Sequence, residues 1–334
     1  MQLGNASLKF VNPPRIISAA SLVGQKEGEG PLGAYFDKIE RDPFLGKQNW
    51  EEAESEIQKQ VAKLALEKGR IQKDKVRYLF AGDLLGQLIA TSFGTMDLEI
   101  PMFGLYGACS TMGESMSLGA MTVAAGYGDY VLALTSSHFA SAEKQFRYPL
   151  EYGNQRPFSA TWTVTGGGCV LIGKEGGIAQ ITGITTGKMI DFGVKDSMNM
   201  GAAMAPAAAD TISQHFQDFS VDQNYYDKII TGDLGYVGQK ILCDIMNDRN
   251  QDITNIHMDC GIEIFDQEKQ DTHAGGSGCG CSAATLCSYI LNQIEKKVWK
   301  KVLFVPTGAL LSTVSYNEGQ SIPGIAHGVV IEAI

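Results

Sequence analysis

The sequence predicts an α/β fold made of two copies of one strand-and-helix unit. Three features recur in the same order in both halves, the first at an offset of about 150 residues, the mark of an internal duplication. The first is an apolar run breaking at Gly-Asp-Leu: Tyr78-Leu79-Phe80-Ala81-Gly82-Asp83-Leu84 returns as Lys228-Ile229-Ile230-Thr231-Gly232-Asp233-Leu234. The second is a loop of small residues opening into a helix, Gly107-Ala108-Cys109-Ser110-Thr111 against Gly275-Gly276-Ser277-Gly278-Cys279-Gly280-Cys281-Ser282. The third is a closing pair of β-rich runs. Tyr130 to Thr135 matches Lys301 to Thr307, and Gly167 to Ile172 matches Ala326 to Ile331.

Each element has its own local reason. The closing runs are apolar almost without interruption, as in strands covered on both faces. Strands alternating with helical patterns imply βαβ units, a mostly parallel sheet and helices on both sides of it. Trp50 to Leu66 reads as a helix, with acidic residues in its first turn and apolar ones recurring at three and four. Gly201 to Phe216 reads as another, with Pro206 near its start and Met198, Met200 and Met204 as core packing. Gly24 to Gly33 is expected to be an irregular, mobile loop. The two halves are set at residues 1–178 and 179–334.

With 334 residues, 44% of them hydrophobic and 19% charged, the chain has the composition of a folded protein with room for two lobes. A net charge of -10 without a basic stripe argues against nucleic-acid binding. No apolar run is long enough to cross a bilayer, and Met1 to Asn5 lacks the basic and apolar regions of a secretory signal. Seven scattered cysteines suit free thiols rather than a disulfide framework. Neither a metal nor a cofactor is expected. Cys279-Gly280-Cys281 lacks zinc-knuckle spacing, and Gly168 to Lys174 carries Glu175 where a P-loop needs Ser or Thr for magnesium.

Cys109 is the sharpest chemical candidate. It lies between an apolar strand and a helix beginning near Ser110-Thr111, where free amides and the helix dipole would favour a thiolate. A buried structural cysteine fits the same position. A nucleophile of this kind needs a base, and the histidines to consider are His138, His257, His273 and His327, which spacing alone does not separate. His215 falls in an amphipathic helix and is expected at the surface. Lys144 to Arg156 brings Arg147 and Arg156 near the same site, either to meet a carboxylate or to pair with Glu143 or Glu151.

The chain resembles the thiolase and ketoacyl-synthase superfamily and, within it, the stage V sporulation protein AD family of spore-forming bacteria. The matching strings are GDLLGQ (82–87), Phe103-Gly104 with Gly107 to Ser115, TSSHFASAEKQFRYPLEYG (135–153), MGAAMAPAAADTI (200–212), AGGSGCGCSA (274–283), TGALLS (307–312) and SIPGIAHGVVIE (321–332). The superfamily resemblance implies a thiolase-like fold of five layers, αβαβα, from two duplicated βαβαβαββ halves. The family resemblance implies binding of dipicolinic acid, pyridine-2,6-dicarboxylate, for uptake into the forespore and release at germination. It also implies association with membrane-embedded proteins of the same sporulation operon, peripheral to the inner spore membrane. Superfamily relatives pair through the strand before the cysteine, here about Pro101 to Leu105, which implies a homodimer.

Against an enzyme stands the loss of the superfamily's second-half catalytic groups. Thr231 to Gly235 lacks the histidine or asparagine of that motif, Ser321 stands where thiolases carry a second cysteine, and His273 is followed by Ala274 rather than proline. Claisen chemistry needs a proton-abstracting group, so Cys109 is read as a vestigial nucleophile with His273 as the candidate base. The leading expectation is a non-catalytic pocket for a flat dianion, with or without calcium. Its donors are Cys109, His138, Arg147, His257 and the Gly276-Ser277-Gly278 loop. Asp233 and Asp259 are read as cap or surface residues, or as contacts for an accompanying cation. The competing expectation is an acyltransferase or condensing enzyme using Cys109.

Overall fold

A computed structural model describes residues 1–147 and 155–334. Ten strands carry the architecture, five per half. In the first half they are β1 (Arg15–Gly24), β2 (Val76–Gly82), β3 (Met102–Gly104), β4 (Tyr130–Ser137) and β5 (Gly166–Gly173). In the second they are β6 (Ala179–Thr185), β7 (Lys228–Thr231), β8 (His257–Asp259), β9 (Lys301–Val305) and β10 (Gly328–Ala333). Their spatial order is β8-β7-β9-β10-β6-β1-β5-β4-β2-β3, so the second half repeats the first in mirror order about the β6–β1 junction. That junction is short, with Ala179 opposite Ile16 and Gln180 opposite Arg15. Within each half one strand, β5 or β10, runs antiparallel to its neighbours, and β2 pairs parallel with both β3 and β4 as β7 does with β8 and β9.

Seven helices complete the layers: α1 (Trp50–Gly69), α2 (Ile89–Thr95), α3 (Thr111–Ala124), α4 (Phe139–Phe146), α5 (Met200–Phe219), α6 (Gly235–Asp248) and α7 (Cys279–Thr285). α1 covers β1, β4 and β5, while α5 covers β6, β9 and β10 and packs on α6. α3 and α7 touch each other, and glycines on both let neighbouring strands approach: a Cβ on Gly119 would meet the Ile172 side chain at 2.9 Å, and one on Gly280 the Gly166 carbonyl at 2.3 Å. The result is the αβαβα sandwich of a thiolase-like fold. The large apolar cluster runs through it from both sheets, joining Ile16, Val170 and Ile172 to Ile230, Phe304 and Ile331.

Local chemistry sets the helix ends. Asn49 caps α1 by accepting the Glu52 N–H at 2.8 Å, and Arg70 closes it in the left-handed region. Asn199 caps α5 by accepting the Ala202 N–H at 3.3 Å, and Pro206 lies in the second turn rather than at the start. The Gly24–Gly33 segment is not irregular: Gln25–Gly28 is one helical turn, and the Glu27 carboxyl is buried, accepting the Thr165 N–H at 2.9 Å. A glycine-and-charge composition signals solvent, but here it lets the chain approach the core, since a Cβ on Gly30 would meet the Ile264 carbonyl at 2.2 Å. His215 is fully buried rather than superficial. Its Nδ1 bonds Thr185 Oγ1 at 2.6 Å and its Nε2 bonds Tyr226 Oη at 2.5 Å.

Candidate functional site

The two halves meet over Cys109. Ala108–Ser110 form a single tight 3-10 turn ahead of α3, with Ala108 held at φ 52°, a left-handed conformation that costs a non-glycine residue on the order of 1–2 kcal/mol. Two hydroxyls brace the turn: Ser110 Oγ donates to the Gly107 carbonyl and Thr111 Oγ1 to the Ala108 carbonyl, both at 2.7 Å. From the other half, Gly308 packs so closely that a Cβ there would lie 2.5 Å from the Gly107 carbonyl oxygen. The sulfur therefore projects toward second-half residues rather than into solvent, and Cys109 is 6% exposed.

Its partner is Asp233, in the Gly-Asp-Leu turn that follows β7. The carboxyl is buried and accepts the Gly278 N–H through Oδ2 at 2.9 Å and the Thr307 hydroxyl through Oδ1 at 3.0 Å, and its charge acts on the Cys109 thiol. Burial lifts its pKa to about 7, against the pull of its hydrogen bonds. Cys109 does not have the depressed pKa expected from a helix start: burial first, then the charges of Asp233 and Cys279, push it well above the ordinary thiol value. The Gly278 amide expected to serve a ligand is occupied by Asp233. Gly278 itself has φ 97°, and a Cβ there would sit 2.7 Å from Ser137 Oγ.

A cavity of about 410 Å³ opens above this pair. Cys109, Ser277 and Gly278 form its floor, and Leu84, Phe146, Met200, Leu310 and Leu311 give it apolar walls. Tyr106, Gln145, Thr163 and Ser312 add polar points around it. Arg147, just past the end of α4, is the one cation among the described lining residues. It is clamped by Glu143, at 2.8 Å from Nη1 to Oε1, and by the Thr161 carbonyl at 3.2 Å from Nη2. Of the alternatives open for this segment, Arg147 takes both: it pairs with Glu143 and faces the cavity. Arg156 pairs with Asp271 instead, and Glu151 lies outside the described residues.

Of the expected site residues, Cys109, Arg147, Ser277 and Gly278 come together, and four others do not. His138 caps α4, its Nδ1 accepting the Ala140 N–H and its Nε2 facing the Pro43 carbonyl at 2.8 Å. His257 is spent on Thr231 Oγ1 at 2.9 Å and Gln239 at 3.1 Å, and burial lowers its pKa to about 4. His273, the candidate base, turns away at φ 52° to bond the Pro157 carbonyl at 2.9 Å, with Asp271 at 3.1 Å. Gly276 is held in a two-residue strand against Trp162 and does not line the cavity. His327 is buried behind Gly187, and Ser321 is tied to Asp191 at 2.5 Å. Asp259 is neither superficial nor in the cavity: it accepts the Leu234 and Gly235 N–H groups at 2.9 and 3.0 Å, fixing the start of α6.

Such a floor holds a protonated thiol on a protonatable carboxyl, with no imidazole among the described lining residues to carry a proton away. It offers one fixed cation and a mainly apolar enclosure, the pattern of a small-ligand site. A metal centre is not assembled: among the described residues no three His, Cys, Asp or Glu side chains converge suitably.

Comparison with known proteins agrees on fold and family. The family model described as Stage V sporulation protein AD matches residues 4–332. Stage V sporulation protein AD of Bacillus subtilis (strain 168) is 44% identical over 329 residues, covering 98% of this chain and 97% of that one. Among solved structures, human mitochondrial 3-ketoacyl-CoA thiolase in complex with CoA superposes with a TM-score of 0.61 at 12% identity, covering 98% of this chain and 99% of the other. The 3-oxoacyl-[acyl-carrier-protein] synthase III of Aquifex aeolicus VF5 gives 0.58 at 11%, covering 96% and 99%. At those identities the two structures speak to the fold alone.

Proposed function

The chain belongs to the stage V sporulation protein AD family, and on that premise we propose that its central cavity binds dipicolinic acid without transforming it. The observation that carries the reading is Arg147, a clamped guanidinium facing an apolar enclosure large enough for a flat ring. A guanidinium has about five N–H donors; Glu143 and Thr161 engage two of its nitrogens, and the remaining donors suit one carboxylate in fork geometry. Ser277, Ser312 and Tyr106 supply neutral donors for the second carboxylate, and the leucines and Phe146 flank the ring. Calcium, where it travels with the ligand, meets one carboxylate among the described lining residues, Glu143, which Arg147 already engages at 2.8 Å.

The thiol chemistry supports binding over acyl transfer. A nucleophilic cysteine works as a thiolate, and burial, with the charges of Asp233 and Cys279, outweighs the Gly278 amide and keeps the proton on sulfur. Titration calorimetry with dipicolinate tests the reading directly: a saturable one-to-one heat supports it, and its absence rejects it. Incubation with acyl-coenzyme A followed by intact-mass measurement tests the alternative, which requires an adduct on Cys109.

The setting proposed for this activity is the forespore and spore, at the inner membrane beside the membrane-embedded products of the same operon. No helix among the described residues is long and apolar enough to cross a membrane, so such an association is peripheral or through those partners. A homodimer is proposed along β3, an edge strand whose Met102 and Phe103 are exposed beside Phe93 and Met96 of the α2 region. Sedimentation of the wild type against Phe103→Glu tests it.

A further inference from the structure

We infer that Asp233 sets the charge state of ligand the cavity accepts: its carboxyl and the Cys109 thiol form one proton-sharing pair beneath the floor, and a dianion binds with uptake of a proton by that pair. The ligand arm of this inference rests on the proposed dipicolinate site; the proton-sharing pair does not. The geometry comes first. Asp233 accepts from Gly278 N at 2.9 Å and from Thr307 Oγ1 at 3.0 Å, and the Ala108–Ser110 turn that carries Cys109 packs directly on the Thr307–Ala309 segment. Cys109 and Gly278 are cavity floor, so the carboxyl lies directly behind the surface that an anion must approach.

Among the described residues around it, none supplies a compensating cation. The turn before α3 presents Cys109, α7 presents Cys279 and Cys281, and the end of β8 presents Asp259 with Cys260 behind it. All are acids, and each adds negative charge if it ionises. Across the cavity stands Arg147, which shares its charge between Glu143 and whatever anion the cavity holds. An anionic ligand then competes with an ionised Asp233 for the same small region of positive potential, and like charges brought together in a buried site resist simultaneous ionisation. A carboxyl whose pKa burial has raised to about 7 is poised to resolve that competition by taking a proton.

Two measurements decide the matter. In the first, the rate of Cys109 alkylation by iodoacetamide is followed across pH 5.5–9.5, roughly the span over which such a pair titrates, by peptide mass. The wild type is expected to rise, level off just above neutrality as Asp233 ionises and holds back the thiolate, then rise again. Asp233→Asn is expected to lose the plateau and react on the order of tenfold faster at pH near 8, since a neighbouring like charge is worth about one pKa unit or more. A single smooth rise in the wild type overturns the pair, and that outcome needs no variant to fold. In the second, dipicolinate is titrated calorimetrically at pH near 7.5 in buffers of different ionisation heat. Uptake of a fraction of a proton up to one, with affinity falling as pH climbs past 7, supports this role for Asp233; binding without proton uptake overturns it. Absence of heat together with an intact plateau rejects the dipicolinate site while upholding the Asp233–Cys109 pair.

Discussion

Replacing Arg147 by Met removes the cavity's cation and keeps most of its apolar stem, so it separates charge from packing. Ligand loss can be sized from the contacts. A charge-assisted hydrogen bond is worth about 1.5–3 kcal/mol net, and a carboxylate gripped by the free edge of the guanidinium loses about 3 kcal/mol in all. At about 1.4 kcal/mol per decade, dipicolinate affinity is expected to fall on the order of a hundredfold. Stability changes too, because Glu143 is left without its partner in a site where the two side chains are only 6% and 12% exposed. Breaking such a buried pair costs about 3–5 kcal/mol, less where the stranded carboxyl protonates, and burial already raises the Glu143 pKa. Adding Glu143→Gln should recover most of that loss without recovering affinity. Calorimetric titration and urea unfolding of the wild type, the single variant and the double variant make the comparison. An Arg147→Met protein that folds and binds dipicolinate as the wild type does refutes the assignment of Arg147.

Three further outcomes follow from the same geometry. Cys109→Ser should fold and bind dipicolinate within a few fold of wild type by calorimetry, because binding does not use a thiolate. Gly308→Ala should lower unfolding free energy by about 1–3 kcal/mol in urea, since its Cβ has the Gly107 carbonyl at 2.5 Å and must shift the Cys109 turn. His215 is neutral in the fold, its pKa lowered by burial from 6.5 to about 3. A depressed folded-state pKa stabilises above the unfolded value and loses that contribution as pH falls, here between 6.5 and 3, on the order of 5 kcal/mol in total at about 1.4 kcal/mol per unit. The stability gap between wild type and His215→Gln should therefore narrow on acidification through that window, as chemical denaturation at successive pH values would record.

The duplication was legible because strand periodicity and Gly-Asp-Leu breaks survive in both halves, and each matched pair occupies equivalent places in the sheet: β2 with β7, β4 with β9, β5 with β10. Cys109 and Arg147 stood out for local reasons, a strand-to-helix turn and a run of cations in an otherwise acidic chain. The histidines were not. Their side chains point where tertiary hydrogen bonds send them, and position in the chain cannot say whether a ring faces a cavity or a carbonyl such as those of Pro43 and Pro157. His215 was misplaced because one helix face looks polar until Thr185 and Tyr226 close over it. Asp233 carried a visible signal, the repeated Gly-Asp-Leu, but its meaning depended on the first-half turn packing against the second half. Asp83, its counterpart, is also buried and has its pKa raised by burial, but it caps the α2 approach through Leu85 and Thr91 and is not among the residues lining the Cys109 cavity. The Leu310–Thr313 wall also depends on that packing, with TGALLS as its only trace in the sequence.

A crystal structure of this chain soaked with dipicolinate tests the central claim most directly. The expected result is a flat ring between the leucine walls with one carboxylate on the Arg147 guanidinium and an unmodified Cys109 below it. A ligand-free cavity at saturating dipicolinate, or the ring bound elsewhere with Arg147 untouched, would contradict the account.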